Sequence, residues 1–269
     1  MKFGIFVHPK RPKMRIKDIM KVLRSARVSY SKREPDIAIV VGGDGAFGYY
    51  GRTLSTPMLF VGVKDPNILG SKSVLAEIYF DHLRKALHAI ETGKYRIDER
   101  RMLSVKYKGN VANVLTDVYL ERGISAGCLR YTVSIKCSKF LFIDYAIGNG
   151  VIVSTSFGSA GYYSYPDRMK NNKNVSRFAD DKIGICHIIP SFLVRGRGER
   201  KERASIRYSV PSKSIVKIRL LREADARLYG TTKGSKGVVI NVDDEVTVTQ
   251  SNKTAKIIRL NEIKVEEET

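Results

Sequence analysis

Hydrophobic positions follow two different rhythms along this chain, and the change comes near residue 95. In the first third, short apolar runs alternate with helical periodicity. FGIFV (3–7), DIAIVV (36–41) and PMLFVGV (57–63) read as strands buried on both faces. IKDIMKVLRSA (16–26) places Ile16, Ile19, Met20, Leu23 and Ala26 on one helical face. IYFDHLRKALHAIETGK (78–94) reads as a second helix, closed at Gly93 by a left-handed cap. Strand, helix, strand, loop, strand, helix is the βαβ order of a parallel sheet covered by helices.

Beyond residue 95 the helical signals fade. RMLSVKYKG, VLTDVYLERG, YTVSIKCSKFLFIDYAI and GVIVSTS are β-branched and aromatic, with partial alternation. SIVKIRLL, GVVINV, DEVTVTQS and AKIIRL continue in the same texture, punctuated by Gly, Asn and Asp. The pattern predicts an α/β domain over 1–95 and an all-β, sandwich-like domain over 96–254. One segment, SYPDRMKNNKNVSRFADDKIG (164–184), is polar and lacks periodicity, so it reads as a long loop and a candidate lid. The tail KVEEET reads as a charged, frayed terminus.

Composition narrows the class. With 43% hydrophobic and 28% charged residues, the 269-residue chain is that of a globular protein with a sizeable core. No apolar run approaches the roughly 20 residues of a membrane span. The N-terminus lacks a signal-peptide pattern, and a cytoplasmic location is expected. Cys128, Cys137 and Cys186 have neither disulfide-framework nor zinc spacing, and His8, His82, His88 and His187 show no paired ligand spacing. No metal site is therefore assigned. Forty-eight Lys and Arg against 27 Asp and Glu give a net charge of +21. That field favours anionic partners: nucleotides, polyphosphate, nucleic acid or an acidic membrane surface. Apart from RGRGERKER (195–203) the charge is dispersed, and no nucleic-acid-binding motif accompanies it. Composition alone is a weak signal for nucleic acid and leaves these partners open.

Two stretches carry chemistry. In IVVGGDGAFGYYGR (39–52), a buried strand opens into glycines at the edge where α/β sheets bind ligands. Bare backbone there leaves N–H groups open to phosphate oxygens, and a following helix adds its dipole. Taken alone, GGDG fits a tight turn as well as a phosphate cradle. It is neither GxxxxGK[ST] nor a dinucleotide GxGxxG with its acidic partner. Asp44 beside phosphates suits a group that takes a proton from an alcohol, and so points to a kinase. The second stretch, IGNGVIVSTSFGSAGYYS (147–164), runs from a strand into small hydroxylated residues, glycines and tyrosines. It fits a serine-rich turn or a surface for ribose, phosphate or a ring.

Together these stretches resemble the NAD kinase family. That family carries GGDGT after a strand, an Asn-Glu or Asn-Asp pair, and a DGxxxSTPTGSTAY segment; here GGDGA (42–46), LTDV (115–118) and NGVIVSTSFGSAGY (149–162) occur in the same order. DERRMLSV (98–105) resembles the strand leading into the β domain, and Arg52 matches an arginine common after the turn. The resemblance implies two domains, with 255–269 returning to the first. It implies phosphate transfer from ATP or polyphosphate to the adenosine ribose 2′-hydroxyl of NAD, with a divalent cation such as magnesium. Asp44 takes the role of general base. Gly42, Gly43 and Gly45 line the phosphates, and Arg52 belongs with the cofactor-binding residues. Thr116, Asp117, Asn149, Thr155, Gly158, Ser159, Ala160, Gly161 and Tyr162 fall to the dinucleotide. His187 resembles a structural histidine of the family. Small-molecule nucleotides as partners, favoured over nucleic acid and with no membrane partner, are also implied, as is a homo-oligomer, dimer or tetramer.

The chain departs from the family in places. Ala46 stands for Thr, Thr116 for Asn and Asn149 for Asp; LYGTT, with Tyr229 and Gly230, stands where DGQ is usual; and SYPDRMKNN replaces a GGP-like segment. These changes keep open a related kinase with another nucleoside or a lipid alcohol as acceptor. A catalytically weak protein binding nucleotides or nucleic acid is a further alternative.

Overall fold

Ile37 to Gly42 are all buried, and so are Met58 to Gly62, as continuous apolar strands between two helical layers must be. A computed structural model describes residues 1–9, 13–63, 73–124, 127–138, 140–170, 177–231 and 236–261. The chain divides into two compact units, Met1–Arg100 with Thr254–Thr269, and Arg101–Lys253.

The first unit is α/β. Its elements are β1 (Lys2–Val7), α1 (Ile16–Ser25), β2 (Ser29–Tyr30), β3 (Ile37–Gly42), α2 (Asp44–Gly51), β4 (Met58–Gly62), β5 (Ile78–Tyr79) and α3 (Leu83–Glu91). The strands pair in parallel in the order β2-β1-β3-β4-β5. Side chains alternate across the sheet. Ile39, Val41, Leu59 and Val61 form one core with Ile19 and Leu23 of α1 and Leu83, Leu87 and Ile90 of α3. On the opposite face Phe60 stacks on Phe47 of α2, with ring centroids 4.5 Å apart and planes 3° from parallel. The helix expected over 78–94 starts late. Ile78 and Tyr79 pair with Val61 and Gly62 instead, and a 3-10 turn at Phe80–His82 precedes α3. Gly93 has φ +73° and closes that helix as expected.

β6 (Tyr95–Tyr107) leads into the second unit, which holds β7 (Asn110–Val114), β8 (Asp117–Arg122), β9 (Leu129–Cys137), β10 (Phe140–Gly148), β11 (Gly150–Ser154), α4 (Tyr165–Met169), β12 (Lys182–Ile188), β13 (Phe192–Arg197), β14 (Arg200–Arg203), β15 (Arg207–Pro211), β16 (Ile215–Leu220), β17 (Ala226–Tyr229) and β18 (Val238–Ile240). β19 (Glu245–Leu260) runs from this unit back into the first, where Ile257 pairs in parallel with Met58. One antiparallel sheet has the order β14-β13-β10-β9-β16-β19, the other β15-β12-β11-β8-β17-β18. Alternation sets the core between them. Leu129, Tyr131, Val133 and Ile135 of β9 face Val118 and Leu120 of β8, Val151 and Val153 of β11, and their neighbours.

The stretch 164–184 is not one loop. Pro166 sits in the first turn of α4, where its fixed φ suits a helix start, and β12 begins at Lys182. Asp167 of α4 accepts two hydrogen bonds from Arg207 of β15, both 2.7 Å, which ties the segment to the sheet. The lid expectation for 171–176 and the frayed tail from 262 onward lie outside the described residues. Cys128, Cys137 and Cys186 form no disulfide with one another. Among the described residues no helix is long and apolar enough to cross a membrane.

Candidate functional site

The turn between β3 and α2 is built around missing side chains. Gly42 has φ +156°, and a Cβ there would lie 2.9 Å from the Cβ of Ala46. Gly43 is the N-cap of α2, with extended backbone, and the amides of Ala46 and Phe47 turn back to its carbonyl at 2.8 and 3.3 Å. A Cβ on Gly45 would meet nothing within 4 Å. Three glycines weaken a helix by up to about 1 kcal/mol each. α2 is held instead by tertiary contacts: Phe47 on Phe60, and the Tyr50 hydroxyl donating to the Val7 carbonyl at 2.6 Å.

Asp44 opens α2. Its carboxylate accepts the backbone N–H of Leu75 at 3.0 Å and of Val74 at 3.3 Å, so both oxygens are oriented by main chain. An ionised carboxylate has acceptor sites for more than one hydrogen bond and can take a proton. The segment reaches this turn because Gly62 is bare: a Cβ there would sit 2.9 Å from the Ser73 Cβ. The Ser73 hydroxyl donates to the Gly42 carbonyl at 3.1 Å. The Lys13 ammonium stands on the other side, 3.6 Å from where a Gly43 Cβ would be. Neither Lys13 nor Ser73 carries a sequence signal, because only the folded sheet edge brings them to the turn. Arg52 caps the far end of α2, roughly 12 Å from Asp44 by helix rise, with its guanidinium 5.5 Å from the Tyr49 ring centroid.

A second constellation lies in the second unit. Thr155 follows β11, and its hydroxyl donates to the Leu115 carbonyl at 2.7 Å while accepting the Gly158 amide at 3.0 Å. Its own amide donates to the Thr116 carbonyl at 2.8 Å. Gly158 is a close-approach glycine, since a Cβ would lie 2.4 Å from the Thr116 carbonyl oxygen. At Gly161 a Cβ would be 3.8 Å from Asp117 Oδ2. Thr116, Asp117, Thr155, Gly158 and Gly161 are thus neighbours, although scattered in sequence. Ser159 and Ala160 are buried in the same turn, and the Ser159 hydroxyl donates to the Ser156 carbonyl at 2.6 Å. Asn149 stands at the other end of β11, roughly 20 Å from Thr155 by strand rise, where its amide donates to the Ile188 carbonyl.

Aromatic rings border this cluster. Tyr162 meets Tyr119 edge-on at 5.3 Å, and Tyr119 stacks on its cross-strand partner Tyr229 at 5.1 Å. The Tyr162 hydroxyl donates to Glu121 at 3.1 Å; burial, reinforced by that carboxylate, pushes its pKa well up, so it stays a donor at neutral pH.

Behind the cluster lies a buried network that motif reasoning missed. Arg195 donates to both oxygens of the buried Asp144, at 2.7 and 2.9 Å, and the Tyr208 hydroxyl donates to the same carboxylate. His187 Nε2 lies 3.3 Å from Asp144, and its Nδ1 lies 3.0 Å from the Tyr131 hydroxyl, which donates to the Gly150 carbonyl. Burial pushes the Asp144 carboxyl up, but bonds from His187, Arg195 and Tyr208 outweigh it and hold the pKa below the usual carboxylate range. In the adjoining cluster burial pushes the Cys186 thiol up to about 12, which leaves it unreactive.

No protein-family profile matches the chain. Among curated proteins, the NAD kinase of Geobacter sp. (strain M21) is 28% identical over 235 residues, covering 84% of this chain and 73% of that protein. The NAD kinase of Sulfurisphaera tokodaii is 26% identical over 235 residues, covering 85% of this chain and 83% of that protein. Over most of its length the chain is similar to NAD kinases, at 26–28% identity. Solved NAD kinase structures share its fold. Yeast NADH kinase complexed with NADH superposes with a TM-score of 0.68 at 16% identity, covering 98% of this chain and 84% of that one. The Archaeoglobus fulgidus NAD kinase in complex with ATP gives 0.65 at 16%, covering 97% and 94%.

Proposed function

We propose that the protein is a NAD kinase that moves the terminal phosphate of ATP, or of polyphosphate, to the adenosine ribose 2′-hydroxyl of NAD. The observation that carries this reading is the placement of Asp44: a carboxylate oriented by two main-chain amides, in the first turn of a helix that opens at the carboxyl edge of a parallel sheet. With ATP as donor, the hydroxyl oxygen attacks the γ-phosphorus and the bond to the bridging oxygen breaks. ADP departs, and the hydroxyl proton passes to Asp44. The turn's glycines let phosphate oxygens approach the N–H groups of α2, whose dipole favours negative charge. Thr116, Asp117 and the Thr155–Tyr162 segment hold the dinucleotide in this reading.

Among the described residues no three His, Cys, Asp or Glu side chains cluster to hold a metal ion. A divalent cation therefore enters only as the companion of the nucleotide's phosphates, and no step is routed through it. A second reading, a kinase with another acceptor, draws support from Tyr229, whose ring fills space against Tyr119 next to the Asp117 strand position. Labelled ATP offered with NAD, NADH, free nucleosides and a lipid alcohol separates the two. The first reading expects label in NADP; label mainly in another acceptor selects the second.

A homo-oligomer also belongs to this reading. The outer face of β10 and β13 exposes Leu141 (58%), Phe192 (48%) and Tyr145 (40%) on one side of the sheet, an apolar surface suited to a second copy of the chain.

A further inference from the structure

The Gly42–Asp44 turn faces an electrostatic difficulty: a polyanionic donor must approach a carboxylate. The proposed reaction needs a positive group on the protein at the point where the phosphates arrive. We propose that Lys13 supplies it, binding the donor's phosphates over Gly43, with Ser73 fixing the backbone beneath them. The inference rests on the NAD kinase reading above and names a phosphate-contacting residue that no motif of the sequence marks.

The geometry is local to the first unit. From the position a Cβ on Gly43 would take, Lys13 Nζ is 3.6 Å away, Lys13 Cε 3.8 Å and Ser73 Oγ 3.9 Å. Those are ordinary contact distances, so the fold itself does not forbid a side chain at Gly43. The glycine keeps open a small space bordered by an ammonium, a hydroxyl and the first amides of α2. The ammonium and the amide N–H groups are donors to phosphate oxygens, and the lysine contributes a full charge where the helix end contributes about half of one.

Ser73 acts by positioning. It is buried, and its hydroxyl proton goes to the Gly42 carbonyl, which locks the residue with the unusual φ. Its seat depends on Gly62, the strand neighbour of Gly42, because a Cβ at Gly62 would strike the Ser73 Cβ. Gly62 at the end of β4 therefore admits the segment that frames the turn. Lys13 is solvent-exposed and lies outside the apolar core, so its removal takes no packing from that core.

Lys13→Ala and Lys13→Arg are compared with wild type in two measurements: steady-state transfer from ATP to NAD, and calorimetric titration of ATP alone. Lys13→Ala is expected to weaken ATP binding and raise KM for ATP roughly 10- to 100-fold, the size of a lost charge-assisted hydrogen bond. KM for NAD and the thermal midpoint stay at wild-type values, and Lys13→Arg recovers part of the loss. ATP affinity within twofold of wild type in Lys13→Ala overturns the proposal, as does a loss that falls on KM for NAD. If the wild type transfers phosphate to no acceptor, the NAD kinase reading fails by itself. The ATP titration then still decides whether Lys13 binds phosphate.

Discussion

At Gly42 a methyl group would come within 2.9 Å of the Ala46 Cβ, whereas at Gly45 it would meet nothing within 4 Å. The two glycines are therefore needed for different reasons. Gly42 serves the fold, through its φ of +156° and its neighbour Ala46, which fills the space with the smallest side chain that has a Cβ. Gly45 serves no contact within the protein and weakens the helix it belongs to. Gly45→Ala is expected to raise stability by about 0.5–1 kcal/mol in urea unfolding and to lower phosphotransfer, because its methyl group obstructs the approach of phosphate. Gly42→Ala loses stability and activity together. Equal activity in Gly45→Ala and wild type would show that the bare helix start has no role in binding. The motif residues at this scale were legible from sequence: Gly42, Gly43, Asp44 and Gly45 form the turn that GGDG suggested. Lys13 and Ser73 were not, since a lysine among 48 basic residues and a lone serine carry no pattern until β3 and β4 bring them to one edge.

Elements were legible where burial dictated the pattern. FGIFV, DIAIVV and PMLFVGV became β1, β3 and β4 because strands covered on both faces read as continuous apolar runs. The start of the 78–94 helix was misread because Ile78 and Tyr79 complete a sheet edge, a pairing that local periodicity does not register. The polar 164–184 stretch hid α4, which is held to the sheet by the Asp167–Arg207 pair and by Tyr165, packed against the Ile152, Cys186 and Ile188 cluster. Asp144 shows the same limit, since it sits alone in an alternating strand but meets Arg195, Tyr208 and His187 from β13, β15 and β12. Its folded pKa is lowered relative to the unfolded chain, so its contribution is complete above the ordinary carboxylate value of about 4 and is lost as pH falls through the lowered one. Stability measured by urea unfolding should thus decline on acidification below about pH 4. Asp144→Asn should cost about 3–5 kcal/mol at neutral pH, by leaving Arg195 without its charge partner, and should flatten the acid limb. An unchanged acid limb in the variant would assign that loss to other carboxylates.

For the whole molecule, the switch of rhythm near residue 95 marked a real change of architecture, from a parallel α/β unit to a two-sheet antiparallel unit. The net charge of +21 gives the surface a field that favours anions, with an effect that salt should weaken. The apolar outer face of β10 and β13 predicts self-association. Light scattering on purified protein should give a mass of at least twice 30.2 kDa, and Leu141→Lys with Phe192→Lys should shift it toward the monomer. A monomeric wild type at micromolar concentration would leave that face without its proposed partner.

The central claim is that Asp44 takes the proton from the acceptor hydroxyl as phosphate is transferred. It is tested most directly by kcat for NADP formation, with ATP and NAD saturating, in wild type and Asp44→Asn side by side. The amide keeps the size of the side chain but cannot act as a base, so kcat should fall by ~10²-fold or more with an unchanged unfolding midpoint. Wild-type kcat in Asp44→Asn would contradict the account.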